Sequence, residues 1–161
     1  MLNIDTALEC ETLLAVLQAA GLTMATAESC TGGLIAAALT AIPGSSASML
    51  GGFVVYSNAM KTSQLDVPEA VLAAHGAVSE AVARSMAEGA RARSGADIAV
   101  SCTGIAGPGG ATPGKPVGLV HLAAARAGRP TLHMSAVFPG DRVAVRAATV
   151  DAALGLVRRL I

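Results

Sequence analysis

The sequence predicts an α/β protein: a mixed sheet of roughly five strands with helices on both faces. Three observations predict it. Five short β-prone runs are spread along the chain, helix-patterned segments separate the first three, and the last two adjoin across a glycine. The resulting order, α-β-α-β-α-α-α-β-β-β-α, is that of a mixed sheet covered on two sides. The 161 residues are expected to form one domain, 1–161, long enough to bury a core.

Each element has its own signal. Thr6 and Glu9 read as a capping box for a first helix. Leu8, Leu13, Leu14 and Leu17 mark one face of it, and Gly21 stops it. Residues 22–26 are a short apolar run with the look of a buried strand. Residues 34–39 are dense in helix formers and are closed by Pro43-Gly44. Residues 49–56 form a second strand, with its β-prone centre at 53–56. A helix is expected over 58–65, and another opens at Pro68 and ends at Gly76. Ser79 caps a longer helix with Val82, Met86 and Ala90 on one side. Arg91 and Arg93 favour its dipole, and Gly95 closes it. Residues 97–103 are a strand that runs into the glycine loop 104–110. Residues 117–125 and 132–138 form a hairpin around Gly128. Asp141 caps the last helix, with Val145, Ala148, Ala152, Leu156 and Leu160 facing inward. The segment 104–116 is the only loop long enough to be mobile.

Composition excludes several classes. Eleven Lys and Arg balance eleven Asp and Glu, so neither a nucleic-acid footprint nor a polybasic membrane patch is present. With no Trp, one Tyr and two Phe, stacking platforms for single strands are not expected. No apolar run reaches about 18 residues, so no membrane-spanning helix is expected, and no signal peptide is visible. Cys10, Cys30 and Cys102 are odd in number and lack C-x-x-C spacing. That argues against a disulfide framework and a zinc site and for reduced thiols in the cytoplasm. Hydrophobic residues make up 53% and charged residues 14%, a balance that points to a homo-oligomer, a dimer first, covering part of the apolar surface.

The chain is organised around Ala27-Glu28-Ser29-Cys30-Thr31-Gly32-Gly33, where a strand turns sharply into a helix. Such a turn leaves backbone N–H groups unpaired, and these favour an anion or the oxyanion of an acyl transfer. Ser29 at this turn has two readings: a helix cap, or a nucleophile. Cys30 beside the helix start is a further nucleophile option if its pKa is depressed there. With no histidine partner in evidence, Ser29 would need another base, and a buried lysine can serve. Lys61 follows directly on a strand end, and Lys115 is the only other lysine. Tyr56, the sole tyrosine, ends the same strand and is placed to relay a proton or orient the amine.

Other motifs fail. Residues 109–116 nearly match the phosphate-binding G-x-x-x-x-G-K-[ST], but Pro116 offers no hydroxyl and a strand follows. No G-x-G-x-x-G opens a helix, so a dinucleotide fold is not supported. His75, His121 and His133 show no ligand spacing, so no metal site is expected.

Four motifs in order resemble one family: residues 27–33, then Gly51 to Asn58 with Lys61, then Ser101 to Pro108, then Phe138 to Arg142. Together they are similar to the CinA C-terminal domain family, the nicotinamide-nucleotide amidases. The resemblance spans nearly the whole chain. It implies a three-layer α/β/α sandwich and hydrolysis of the carboxamide of nicotinamide mononucleotide (NMN), giving nicotinic acid mononucleotide and ammonia. No cofactor or metal is implied, and the small-molecule nucleotide is the expected partner. Some family members carry an additional N-terminal domain; this chain reads as the form without it. Carried over, Ser29 is the nucleophile and Lys61 its base, with Tyr56 assisting. The amides of Cys30 and Thr31 are oxyanion donors, with Gly32 and Gly33 beside them. Asn58, Thr103, Gly104 and Gly107 would line the nucleotide site. Arg142 suits a phosphate by its planar fork or braces the fold through an ion pair. Two other readings stand beside this one: a non-catalytic nucleotide-binding module, and an amidase for a different small amide.

Overall fold

The computed structural model describes residues 3–161. Its elements are α1 (Ile4–Ala19), β1 (Met24–Glu28), α2 (Leu34–Thr40), a short 3-10 turn (Ser45–Ala47) and β2 (Met49–Val54). There follow α3 (Asn58–Leu65), α4 (Glu69–His75), α5 (Glu80–Ser94), β3 (Ile98–Gly104), β4 (Leu119–Arg126), β5 (Leu132–Val137) and α6 (Arg142–Arg158). The sheet order is β2-β1-β3-β4-β5. The pairs β1/β2 and β1/β3 are parallel, whereas β3/β4 and β4/β5 are antiparallel. The sheet is mixed and five-stranded, as expected.

Alternation along the strands decides which helices lie where. Ile98, Val100 and Cys102 of β3 and Val120, Leu122 and Ala124 of β4 point into one core with α1, α2 and α6. The opposite face carries small residues. Ala123 and Ala125 of β4 meet Ala83 and Ala87 of α5, and Ala27 and Ala99 pack with Val82, Met86 and Ala90. Small side chains on both partners bring α5 close enough for Ser101 Oγ to donate to the Ala83 carbonyl at 2.6 Å. The three layers follow from this size asymmetry.

The caps at Ser79 and Asp141 form as expected, their side chains accepting from the Val82 and Ala144 amides. Gly95 ends α5 with φ +71°. The capping box at Thr6 does not form. Asn3 caps α1 through the Thr6 amide, Thr6 Oγ1 donates to Asp151, and Glu9 pairs with Arg158 at 2.9 Å. Leu8 is exposed, leaving Leu13, Leu14 and Leu17 as the inner face. In α6, Thr149, Val150, Ala153, Leu154 and Val157 are buried with Val145 and Leu156, while Ala148 and Ala152 lie at the margin. Strand β2 stops at Val54, before Val55 and Tyr56 turn toward α3.

Gly89 marks where α5 crosses the end of α3. A Cβ there would stand 1.9 Å from the Leu65 carbonyl oxygen and 2.9 Å from its carbon, and backbone cannot yield as a side chain can. Gly89→Ala is expected to cost about 3 kcal/mol, lowering the melting temperature by roughly 6–12 °C. A melting temperature unchanged in thermal denaturation would mean that this crossing is loosely packed.

Candidate active site

The parallel core of the sheet gathers the site. Glu28 pairs with Val54 on one side and Cys102 on the other, so the segments after β1, β2 and β3 leave the sheet at one end. The turn after β1 holds Ser29, and the Val55-Tyr56 turn after β2 leads into α3. Ser57 caps α3 by accepting from the Met60 amide. One turn into that helix, Lys61 points back beneath the strand ends.

Lys61 Nζ lies 3.1 Å from Ser29 Oγ, 3.0 Å from the Val55 carbonyl and 3.2 Å from the Tyr56 carbonyl. Its side chain is 1% exposed. Among the described residues no carboxylate forms an ion pair with it. Burial therefore dominates and pulls the amine's pKa below the ordinary lysine value. The hydrogen-bond geometry matters as much. Carbonyls only accept, so a neutral amine gives its two N–H groups to Val55 and Tyr56 and turns its lone pair toward the Ser29 hydroxyl. The arrangement can take a proton from serine.

Ser29 is 8% exposed, and its amide donates to the Cys102 carbonyl at 3.1 Å. The Gly32 amide turns back to the Ser29 carbonyl, and the Gly33 amide goes to Glu28 Oε2. Neither the Cys30 nor the Thr31 amide has a backbone acceptor among the described residues. Thr31 is fully buried and out of reach of an oxyanion, so of the two expected donors only the Cys30 amide, on a residue 5% exposed, is left as a candidate. Gly32 and Gly33 have φ of +61° and +101°, which lets the chain make this turn without strain.

The start of α2 is different from what the sequence suggests. Its donors do not face the site; they are consumed by the buried carboxylate of Glu28, which is 1% exposed. Oε2 accepts from Thr31 Oγ1, the Gly33 amide and the Ile35 amide, and Oε1 from Thr26 Oγ1 and the Ala36 amide, at 2.6–3.0 Å. Sequence reasoning missed Glu28; an acid closing an apolar strand just ahead of a helix start is the signal that could have found it. It also missed Arg146 of α6, whose guanidinium donates to the Thr31 carbonyl at 2.7 Å. Nothing in local sequence marks that contact, which spans 115 positions.

Cys30 is buried, and its thiol pKa is raised, first by a hydrogen bond with Cys102 and then by burial. That is the reverse of the activated thiolate a nucleophilic role needs. The Tyr56 hydroxyl also departs from expectation. The side chain is 62% exposed, its oxygen accepts from Arg142 at 3.2 Å, and only the backbone carbonyl of Tyr56 reaches Lys61.

Arg142 makes no ion pair among the described residues. It donates to the Gly107 carbonyl at 2.9 Å and to Tyr56, bridging the glycine loop and the β2 exit. Beside it lies a cleft of about 310 Å³ lined by Ala106, Pro108, Val117, Gly140, Asp141, Arg142 and Val143. Thr103 is buried, with its hydroxyl on the Ala77 carbonyl at 2.8 Å, and Gly104 leaves no room for a Cβ against Leu119 and Val120. Both shape the wall rather than offer a free donor. Asn58 faces another hollow, with Ala59, Thr62, Glu69 and Leu72. Lys115 anchors the long loop to the His75 carbonyl at 2.7 Å. His121 and His133, which spacing did not bring together, stack across β4 and β5 with nitrogens 3.0 Å apart. They are diagonal neighbours in the hairpin register.

Fold and site together define a class: an α/β sandwich with a serine and a buried lysine in contact where its parallel strands end. The chain belongs to the CinA C-terminal domain family, whose model matches residues 7–161. A CinA-like protein of Citrifermentans bemidjiense is 54% identical over 144 residues, covering 89% of this chain and 34% of that protein. A putative competence-damage inducible protein of Symbiobacterium thermophilum is 54% identical over 147 residues, covering 86% and 34%. The chain thus spans about a third of the length of the curated relatives it matches. Among solved structures, the competence/damage inducible protein CihA from Agrobacterium tumefaciens superposes with a TM-score of 0.97 at 45% identity, covering 99% and 98% of the two chains. A CinA superfamily protein from Escherichia coli gives 0.93 at 35% identity, covering 100% and 94%. No helix among the described residues is long and apolar enough to cross a membrane.

Proposed function

We propose that this protein is an amidohydrolase that converts NMN to nicotinic acid mononucleotide and ammonia by a Ser–Lys mechanism. The observation that carries the reading is the 3.1 Å contact between Ser29 Oγ and a buried Lys61 that has no carboxylate partner among the described residues. The substrate comes from the family resemblance, which the exposed Arg142 fork beside the cleft supports as a phosphate ligand.

In the forward step neutral Lys61 takes the hydroxyl proton as Ser29 Oγ bonds to the carboxamide carbon. The carbonyl oxygen gains charge against the Cys30 amide. The protonated Lys61 then gives its proton to the leaving nitrogen, the C–N bond breaks and ammonia departs. Water, deprotonated by the same amine, cleaves the acyl-serine and restores the hydroxyl. The exposed apolar side chains of Ile4, Leu50, Val54 and Val143 support self-association, which light scattering counts directly.

The pH dependence follows from Lys61. The active form is the free amine, whose pKa is lowered by burial. Thus kcat/KM for ammonia release from NMN is expected to rise with pH and level off at a pKa below the usual lysine value of 10.5. A profile that is flat, or that falls over this limb, would remove Lys61 as the base. Nicotinamide, which lacks the ribose phosphate, is expected to be a much poorer substrate; equal turnover of both would argue against a nucleotide site.

A further inference from the structure

We propose that Glu28 is a positioning residue for the reaction: its buried carboxylate ties down the turn that follows β1 and so holds Ser29 against Lys61. The inference rests on the amidase reading above. Five donors converge on this one side chain, and its two oxygens divide them. An acceptor-only group is what such a set requires.

The consequence falls on Thr31. Its hydroxyl donates to Glu28 at 2.6 Å and lies 3.1 Å from Cys102 Sγ. Its carbonyl is held by Arg146 at 2.7 Å. Hydroxyl and carbonyl are both tied, and the next amide, of Gly32, closes back on the Ser29 carbonyl at 3.1 Å. Thr31 is thus pinned two residues after Ser29, and the turn that carries the serine is held with it. Glu28 also carries the chain across to the base. Its carbonyl accepts from the Val55 amide at 2.9 Å, and the Val55 carbonyl accepts from Lys61. Its side chain is 1% exposed and cannot touch substrate. Its effect should therefore appear in kcat and not in KM.

Gln is isosteric with Glu, yet its one oxygen can serve only one of the two donor groups. The other group, two or three donors strong, then meets an NH2. Glu28→Gln is expected to lower kcat for NMN by on the order of 10²-fold, with KM changed by no more than about twofold. Glu28→Ala removes the carboxylate and leaves the five donors around a cavity, so added formate is expected to restore a large part of the lost rate, whereas chloride at equal ionic strength is not. A role in stability alone would not give rescue by a small carboxylate.

A second readout separates this proposal from the substrate assignment: the rate at which a fluorophosphonate labels Ser29 in each variant, since labelling uses the same serine hydroxyl and the same base. Slow labelling in Glu28→Gln and formate rescue in Glu28→Ala support the proposal even if NMN is not turned over. Labelling and kcat at wild-type levels in folded Glu28→Gln, or a loss confined to KM, overturn it. Wild-type protein that neither labels nor releases ammonia removes the serine nucleophile, and this proposal falls with it.

Discussion

Lys61→Met is expected to leave the protein folded while lowering ammonia release from NMN by on the order of 10³-fold or more. Met fills much of the same volume, and the side chain is closed off from solvent: Lys61 is among the largest fully buried side chains of the described residues. What disappears is the lone pair that the Val55 and Tyr56 carbonyls aim at Ser29. The variant also carries a signature in stability. The folded-state pKa of Lys61 lies below 10.5, so between the two values the unfolded chain binds the extra proton. Wild-type stability should therefore rise with pH across that window, and the methionine variant should lack this rise. Denaturant titrations at several pH values check it. Parallel pH dependence in the two proteins would mean that Lys61 is buried charged, and the base would have to be sought elsewhere.

Ser29→Ala is expected to have the larger effect on turnover, on the order of 10⁴-fold or more. No other hydroxyl contacts Lys61 among the described residues, and the neighbouring Cys30 thiol is held in its protonated form by Cys102 and by burial. Stability should barely change, because the Ser29 hydroxyl caps nothing; its one hydrogen bond among the described residues is with Lys61. Combining the two substitutions should cost little more than Ser29→Ala alone, since the residues act as a unit. Costs that multiply in the double variant would show that they act independently.

Local signals announced the fold well and the site only in part. Ser79, Asp141 and Gly95 mark helix ends because capping is decided within a turn of the chain. The hairpin about Gly128 is equally local. The capping box at Thr6 went astray because tertiary partners, Asp151 and Arg158, claim both of its side chains. The motif around Ser29 is plain in the sequence, but its contact with Lys61 is not. That contact spans 32 positions and depends on β1 and β2 being parallel neighbours, with α3 returning the lysine beneath them. No periodicity encodes it.

By sequence the helix start offers free donors to an anion, because a buried carboxylate is rare, and five donors from two hydroxyls and three amides cannot be foreseen from one acid in a motif. Tyr56 shows the opposite case. The sequence places it at the end of the second strand, but β2 ends two residues before it, so the phenol turns out to Arg142 and only its carbonyl meets the amine. Burial and direction, set by tertiary packing, separate what was legible from what was not.

The most direct measurement is ammonia release from NMN by the purified protein, run beside Ser29→Ala. Release by the wild type and none by the variant is the predicted result. Equal release by both, or NMN binding by the wild type without release, would contradict it.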